Sequence, residues 1–157
     1  MPIVRRLEDF LKESGVNYKS ISHPEAFTAQ EIAAALHVHG KDLVKSVMLK
    51  ADGRFVMAVL PASWRIDINK LKEILNCGDV RIAKEEEFKA IFPDCETGAE
   101  PPFGNLYNVE TIVDKSLATD ERIYFNAGNH YEAVEMGYSD FERLVKPRVV
   151  DFAVHLH

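Results

Sequence analysis

Two adjacent prolines at positions 101 and 102 lie inside a glycine-bounded run, residues 98–104, and strongly constrain how this chain folds. Proline lacks a backbone donor and fixes φ, so neither a helix nor a central strand continues through the pair. The irregular run extends over residues 93–108, and compact domains rarely keep such a segment unless it lines a site or is disordered. Its apolar anchors argue against disorder: Phe92, Phe103, Leu106 and Tyr107. We therefore predict a rigid loop that presents backbone N–H groups.

The length and composition predict one domain over residues 1–157 with a substantial core, since 46% of the residues are apolar. No apolar run approaches the roughly 20 residues of a membrane helix. The N-terminal residues lack the apolar core of a signal peptide, so we expect a cytoplasmic protein with no membrane partner. Cys77 and Cys95 form no CxxC pattern, which favours two reduced, inert thiols over a disulfide or a zinc site.

The formal net charge of −6 argues against a protein that coats nucleic acid by bulk electrostatics, and no DNA partner is expected. Recognition of one nucleic-acid end through a local basic pocket is still compatible with this charge. No GxGxxG or Walker sequence is present, so no nucleotide cofactor is expected.

Hydrophobic periodicity and turn signals predict helices and strands in irregular alternation. Helices are predicted over residues 3–14, from a capping box at Thr28–Glu31 to Gly40, from the cap Asp67 to Leu75, over 84–92, and over 140–145 behind the cap Ser139. Strands are predicted over residues 16–22, 43–50, 55–60, 80–83, 111–113, 122–126, 131–136 and 148–154. The strands at 43–50 and 55–60 form a predicted hairpin. This order indicates a mixed α/β (α+β) fold rather than regular βαβ winding.

Lys45 is a charged residue between Val44 and Val47 in an otherwise apolar strand. Such a lysine either reaches solvent at the strand edge, which is the commoner outcome, or points into a cleft. In a cleft its ammonium can hold a phosphate, a hydroxyl or a polarised carbonyl oxygen.

The histidines offer weaker signals. His130 follows a turn-like sequence and could serve as acid, base or hydrogen-bond donor, although a turn histidine is more often a solvated surface residue. His37 and His39 form an HxH pair that is a weak metal signal, and we expect exposed bystanders. His155 and His157 are expected to fray with the C-terminus.

Together these residues predict a cleft with backbone donors from the loop at Gly98, a cation from Lys45 and a polar group from His130. No Ser-His-Asp order, nucleophile elbow or metal cluster supports covalent or metal-dependent catalysis. The pattern fits electrostatic stabilisation of an ester's tetrahedral intermediate by fixed N–H groups.

Taken in order, five segments resemble the YbaK/prolyl-tRNA synthetase-associated family of aminoacyl-tRNA editing domains. They are TAQE at 28–31, LVKSV at 43–47, MAVLPA at 57–62, FPDCETGAEPPFG at 92–104 and FNAGNH at 125–130. The resemblance implies a mixed α/β domain with a twisted, largely antiparallel β core and surrounding helices. It also implies a metal-independent deacylase without a cofactor, which acts in trans on the 3′ end of a mischarged tRNA and has a synthetase as a candidate partner.

By position, Lys45 resembles the family's functional lysine, and residues 98–102 fit its GxxxP loop. The resemblance implies catalytic roles for Lys45, Gly98, Ala99 and His130. It implies substrate-binding roles for Glu100, Pro101, Pro102, Phe103, Gly128 and Asn129. The N–H groups of Gly98 and Ala99 would stabilise an oxyanion by about 3 kcal/mol each. Water would attack the ester carbonyl with help from a ribose hydroxyl of the terminal adenosine. His130 would either orient that hydroxyl or line the pocket.

The sequence also departs from the family pattern. Residues 126–130 lack the His-Pro element of members that clear alanine from proline tRNA, and residues 100–103 carry two prolines where cysteine-linked members carry one. The substrate therefore stays open within a class of small amino acids: alanine, serine, threonine or cysteine. Two other functions also stay open, a catalytically silent tRNA- or synthetase-binding module and a small-ester or thioester hydrolase.

Overall fold

The computed structural model describes residues 4–36 and 42–155. Over these ranges the helices are α1 (Arg5–Ser14), α2 (Ala29–Leu36), α3 (Ile68–Leu75), α4 (Glu85–Phe88) and α5 (Tyr138–Val145). The strands are β1 (Tyr18–Ser22), β2 (Leu43–Ala51), β3 (Arg54–Pro61), β4 (Trp64–Ile66), β5 (Val80–Ile82), β6 (Glu110–Asp114), β7 (Arg122–Asn126), β8 (Glu132–Gly137), β9 (Arg148–Val150) and β10 (Ala153–His155). Short 3₁₀ helices cover Lys89–Ile91, Gly104–Tyr107 and Lys115–Thr119.

The main sheet has the strand order β1-β8-β7-β2-β3-β6-β9, with β5 paired to β2 off this path, and β10 pairs with β4 in a separate two-stranded sheet. Among the described pairings, antiparallel ones outnumber parallel ones by five to three. The predicted mixed α/β fold with a largely antiparallel core is confirmed.

The hairpin of β2 and β3 forms the centre of the sheet, as predicted. On the edge of β2 away from β3, β7 pairs only with Leu43 and Val44, and β5 pairs from Leu49 onward. The sheet therefore parts beside residues 45–48. This gap positions the site described below.

Successive side chains along β2 point to opposite faces of the sheet, so they contribute to different clusters of the core. Val44 and Met48 join the largest cluster, which includes Leu7, Leu11 and Phe141 from α1 and α5. Leu49 and Ala51 pack with α3 in a second cluster. Leu43 joins a small third cluster with Ala26, Ile32 and Ala62. The third cluster holds α2 against the start of β2, beside the gap in the sheet.

The caps predicted for the first turns of two helices, α2 and α3, are confirmed. The capping box is present, because Glu31 N–H donates to Thr28 Oγ1 and Thr28 N–H donates to Glu31 Oε1, both at 3.1 Å. Asp67 caps α3 by accepting from two backbone N–H groups.

Other local predictions were wrong. The last helix begins at Tyr138 behind Gly137, so Ser139 lies inside it and is not its cap. The predicted helix over 84–92 is one α turn, α4, followed by a 3₁₀ turn. The predicted strand over 148–154 is two strands in different sheets, β9 and β10. The strand β4 was not predicted.

His155 does not fray, because it lies in β10 with its ring 5.1 Å from that of Trp64. Gly40, His37, His39 and His157 lie outside the described residues. Across the described ranges, no helix is both long and apolar enough to cross a membrane.

Candidate active site

A cleft of about 210 Å³ opens where the sheet parts beside β2. Its walls come from the approach to α2, the start of β2, the residue after β3, the end of β7 and the proline-containing loop. The lining residues are Phe27, Ile32, Leu43, Val44, Lys45, Ser46, Ala62, Gly98 and Asn126. Apolar side chains form part of this wall, and electrostatic interactions beside such a surface are stronger than in bulk water.

Lys45 lines this cleft, so the structure favours the cleft interpretation over the solvent-directed one. The residue is half-buried and lies opposite Leu60 in the hairpin. Burial lowers the pKa of the Lys45 ammonium below its ordinary value. No described residue forms a hydrogen bond or an ion pair with the ammonium. It is therefore an unpaired cation that is available to a ligand.

Two residues that line the cleft each carry a side-chain oxygen without a hydrogen-bond partner among the described residues. The atoms are Ser46 Oγ and Asn126 Oδ1, and both are buried. Buried polar atoms in folded proteins are nearly always paired, so an unpaired one indicates strain, a bound water or a ligand site. The sequence analysis assigned no role to either residue, although Ser46 adjoins Lys45 and Asn126 opens the FNAGNH segment.

The two loop N–H groups that were expected to hold an oxyanion are already occupied. Gly98 N–H donates to Glu100 Oε2 at 3.0 Å, and Ala99 N–H donates to the Glu96 carbonyl at 3.0 Å. Neither donor is therefore free for an oxyanion in this structure, which corrects the expectation for these two N–H groups. The reason is local: Glu100 folds back on its own loop and is buried there, and burial raises the pKa of its carboxyl.

A second loop, residues 127–130, holds the proline-containing loop in place. Glu96 N–H donates to the Gly128 carbonyl at 2.7 Å, and Gly128 N–H donates to the Ala99 carbonyl at 2.9 Å. His130 N–H donates to Glu96 Oε1 at 2.7 Å. These bonds fix Gly98, which has a φ of +90° that favours glycine, at the edge of the cleft.

His130 supports the site from behind, since it is buried and is not among the residues that line the cleft. Its Nε2 lies 3.2 Å from the Thr97 carbonyl, which can only accept, so Nε2 carries the proton in this contact. Its Nδ1 is buried without a partner among the described residues. His130 is therefore neither a solvated turn residue nor a wall of the cleft.

Several predicted substrate-binding residues serve the fold instead. Phe103 is fully buried and packs against Phe10, Phe125 and Phe141, so it belongs to the core. Pro101 and Pro102 belong to the proline-containing loop and are buried.

The turn residues Gly128 and Asn129 also lie outside the cleft lining. Asn129 Oδ1 accepts from the N–H groups of Tyr131 and Glu132 and closes the turn. Of the predicted site residues, Lys45 and Gly98 line the cleft.

A larger cleft of about 320 Å³ lies at the other end of β7, lined by Asp42, Thr119, Asp120, Glu121, Arg122 and Tyr124. Three carboxylates make it a poor receptor for a polyanion. Over the described ranges, no group of three or more His, Cys, Asp or Glu side chains could hold a metal ion.

Comparison with known proteins defines the class of this domain. The sequence matches the model of the aminoacyl-tRNA editing domain over residues 23–144. The chain therefore belongs to the aminoacyl-tRNA editing domain family, and the resemblance noted in the sequence is confirmed.

Curated relatives carry this domain within longer chains. The sequence is 33% identical over 129 residues to a proline–tRNA ligase of Dehalococcoides mccartyi, an alignment that covers 80% of this chain and 22% of the ligase. It is 25% identical over 101 residues to a proline–tRNA ligase of Bacillus mycoides, covering 64% of this chain and 18% of the ligase. The chain thus spans about a fifth of the length of these relatives.

Solved structures share the fold. One, described as a proposed trans-editing enzyme for prolyl tRNA synthetase, has a TM-score of 0.86 at 20% identity. The alignment covers 98% of this chain and 98% of that chain. A hypothetical protein has a TM-score of 0.87 at 23% identity, with 96% of this chain and all of that chain covered. At these identities the likeness shows the fold alone.

Proposed function

We propose that this chain is a deacylase that acts in trans and hydrolyses the ester of a mischarged tRNA carrying a small amino acid. One observation carries the proposal: Lys45 offers a partly desolvated cation, without a partner among the described residues, in a small cleft that Asn126 and Gly98 also line. Membership of the editing-domain family supplies the class of substrate.

In this proposal Lys45 takes the electrostatic role that the sequence analysis gave to the loop. Its ammonium donates to the ester carbonyl oxygen and stabilises the negative charge that develops there, which is favourable because the cleft is partly apolar. The N–H groups of Gly98 and Ala99 are engaged within the loop, so the loop acts as a rigid wall.

Asn126, which lines the same cleft as Lys45, positions the attacking water or the neighbouring ribose hydroxyl. The water oxygen bonds to the carbonyl carbon, and the bond from that carbon to the ribose oxygen breaks. One water proton ends on the ribose oxygen, and the released acid loses its own proton to solvent. No metal ion is needed for these steps.

The size of the cleft supports a small aminoacyl group. Its volume of about 210 Å³ lies below the roughly 300–1,000 Å³ of typical ligand pockets. Ile32, Leu43 and Ala62 close it on the apolar side. Larger side chains are excluded by these walls, which is the discrimination that an editing site needs.

The implied partners are the 3′ end of an aminoacyl-tRNA and a synthetase that supplies the mischarged product. These partners would place the protein in the cytoplasm.

A panel of tRNAs mischarged with alanine, serine, threonine or cysteine tests the proposal. Wild type should turn over at least one member many times, and Lys45→Ala should lower kcat/KM by about a hundredfold or more. Lys50→Ala is the matched control, because Lys50 lies on the same strand but pairs with Glu87 outside the cleft. Absence of turnover on every member would contradict the proposal and favour a silent tRNA- or synthetase-binding module.

A further inference from the structure

Phe27 stands at the rim of the candidate cleft with 61% of its surface exposed, more than any other large hydrophobic side chain that the structure describes. Two other exposed hydrophobic residues, Ile82 and Val149, do not line this cleft, so Phe27 combines exposure with a place at the candidate site. Single exposed hydrophobic residues are common on protein surfaces. An exposed aromatic ring that also lines a site is a candidate contact for a ligand.

The Phe27 ring is held in place on one side. Its centroid lies 4.5 Å from that of the His130 ring, at an interplanar angle of 40°. The flanking backbone is fixed as well, because Ala26 N–H donates to the His130 carbonyl at 3.2 Å and Thr28 forms the capping box with Glu31.

His130 is itself buried and bonded to Glu96 and to the Thr97 carbonyl. The support behind Phe27 is therefore rigid, and the ring's other side is open. Little conformational entropy is lost when a ligand binds to such a surface.

The dimensions of the cleft indicate what the open side receives. The cleft has a volume of about 210 Å³, so an aminoacyl ester that lies beside Lys45 directs the attached nucleoside towards the opening. The ribose and its base must then lie across the rim. Aromatic side chains stack on any nucleobase and contribute about 1–3 kcal/mol per base.

We propose that Phe27 is the stacking platform for the terminal base of the aminoacyl-tRNA, and that His130 is a positioning residue that supports the ring from behind. This inference rests on the proposed deacylase function and deepens it. It assigns His130 a role that the sequence analysis did not consider, and it gives the domain a contact with tRNA that needs no basic surface.

The test compares two esters of the same small amino acid, one with adenosine and one with ribose that lacks a base. Phe27→Ala should lower kcat/KM for the adenosine ester about ten- to a hundredfold, the fold-change that corresponds to the stacking energy. Hydrolysis of the base-free ester should fall far less, because that ester has no base to stack. Phe27→Trp should retain both activities, and Ile82→Ala, an exposed hydrophobic residue away from the cleft, should alter neither.

Equal losses on both esters would show that Phe27 only forms the cleft wall, and no loss on either would show that the base binds elsewhere; both results overturn the inference. Binding of a CCA trinucleotide, measured by calorimetry, separates this inference from the proposed function. If wild type hydrolyses neither ester but binds the trinucleotide through Phe27, deacylation fails and the platform stands. If Phe27→Ala binds the trinucleotide as tightly as wild type does, the platform is wrong.

Discussion

At the scale of single residues, the partial burial of the Lys45 ammonium costs folding free energy, and the proposed catalytic role gives a reason for that cost. A half-buried ammonium without a described partner is less well solvated than in the unfolded chain, and burial lowers its pKa. The proposed function of Lys45 and the stability of the fold are therefore opposed at this position.

We predict that Lys45→Met loses deacylation but is more stable than wild type at neutral pH. The pKa of Lys45 in the folded chain lies below its ordinary value of 10.5, so the unfolded chain binds this proton more tightly. Wild-type stability therefore rises as pH increases through the window between the two values, whereas methionine has no such dependence. Urea denaturation from pH 7 to 10.5 should show the advantage of the variant shrinking as pH rises. An advantage that grows with pH would contradict this account.

The sequence could single out Lys45 because a cation in an apolar strand is visible as a pattern, but the pattern alone favoured a solvent-directed side chain, and the family resemblance supplied the functional role. The sequence could not identify the state of Ser46 and Asn126, because whether a polar atom is paired depends on neighbours from distant segments. The same limit explains Gly98 and Ala99. Their N–H groups were visible as donors, but the acceptors, Glu100 and the Glu96 carbonyl, depend on how the loop folds back.

At the scale of elements, the two loops of the site depend on glycine for different reasons. Gly128 has a φ of +98°, and a Cβ there would lie 2.2 Å from Val4 Cγ1. Gly98 has a φ of +90°, but its Cβ would meet only His130 Cε1 at 3.7 Å, an ordinary contact. A side chain at position 128 would thus cause both backbone strain and a steric clash, whereas a side chain at position 98 would cause backbone strain alone.

We predict that Gly128→Ala lowers the free energy of unfolding by about 3 kcal/mol and Gly98→Ala by about 1 kcal/mol. Chemical denaturation measures both. In the Gly128→Ala background, Val4→Ala should cost less than it does in wild type, because it relieves the clash. Equal costs for the two glycine substitutions would contradict the distinction.

The C-terminal strands depend on one buried carboxylate. Asp114 Oδ1 accepts from the N–H groups of Phe152 and Ala153, and Oδ2 accepts from Ser116. These bonds turn the chain between β9 and β10, which explains why the predicted single strand over 148–154 was wrong. No local sequence signal reveals an acceptor that is nearly forty positions away.

We predict that Asp114→Ala lowers the free energy of unfolding by about 4 kcal/mol, because it leaves buried N–H groups without an acceptor. Hydrogen exchange should accelerate first at Phe152 and Ala153. Asp151→Ala is the control, since that carboxylate is exposed in its ion pairs with Lys70 and Lys115 and such surface pairs contribute little. A similar loss of stability in both variants would mean that Asp114 has no special role.

At the scale of the whole molecule, charge limits how the domain could hold the proposed tRNA substrate. With a net charge of −6, the chain has no bulk attraction for a polyanion, so contact is expected to be confined to the 3′ end.

We therefore predict a shallow salt dependence of deacylation. A domain that contacts two or three phosphates of a single-stranded end should give a slope no steeper than about −2 in a plot of log kcat/KM against log salt concentration. Initial rates between 50 and 300 mM salt, roughly the range over which phosphate contacts are screened, measure it. A slope steeper than about −4 would indicate an extended tRNA surface and contradict this view.

The architecture was predictable to the level of fold class, and the hairpin of β2 and β3 was predictable in detail because its alternation and turn are local. The position of the cleft was not. It depends on β7 and β5 pairing with opposite ends of one edge of β2, which is a long-range arrangement.

The most direct test of the central claim is a nitrogen-15 NMR titration with adenosine that carries alanine at its 3′ position through a non-hydrolysable amide. Our account predicts that the largest backbone shifts occur at Lys45, Ser46, Gly98 and Asn126, and that they are strongly reduced in Lys45→Ala. Shifts confined to the acidic cleft at Asp42 and Tyr124, or no shifts at saturating ligand, would contradict it.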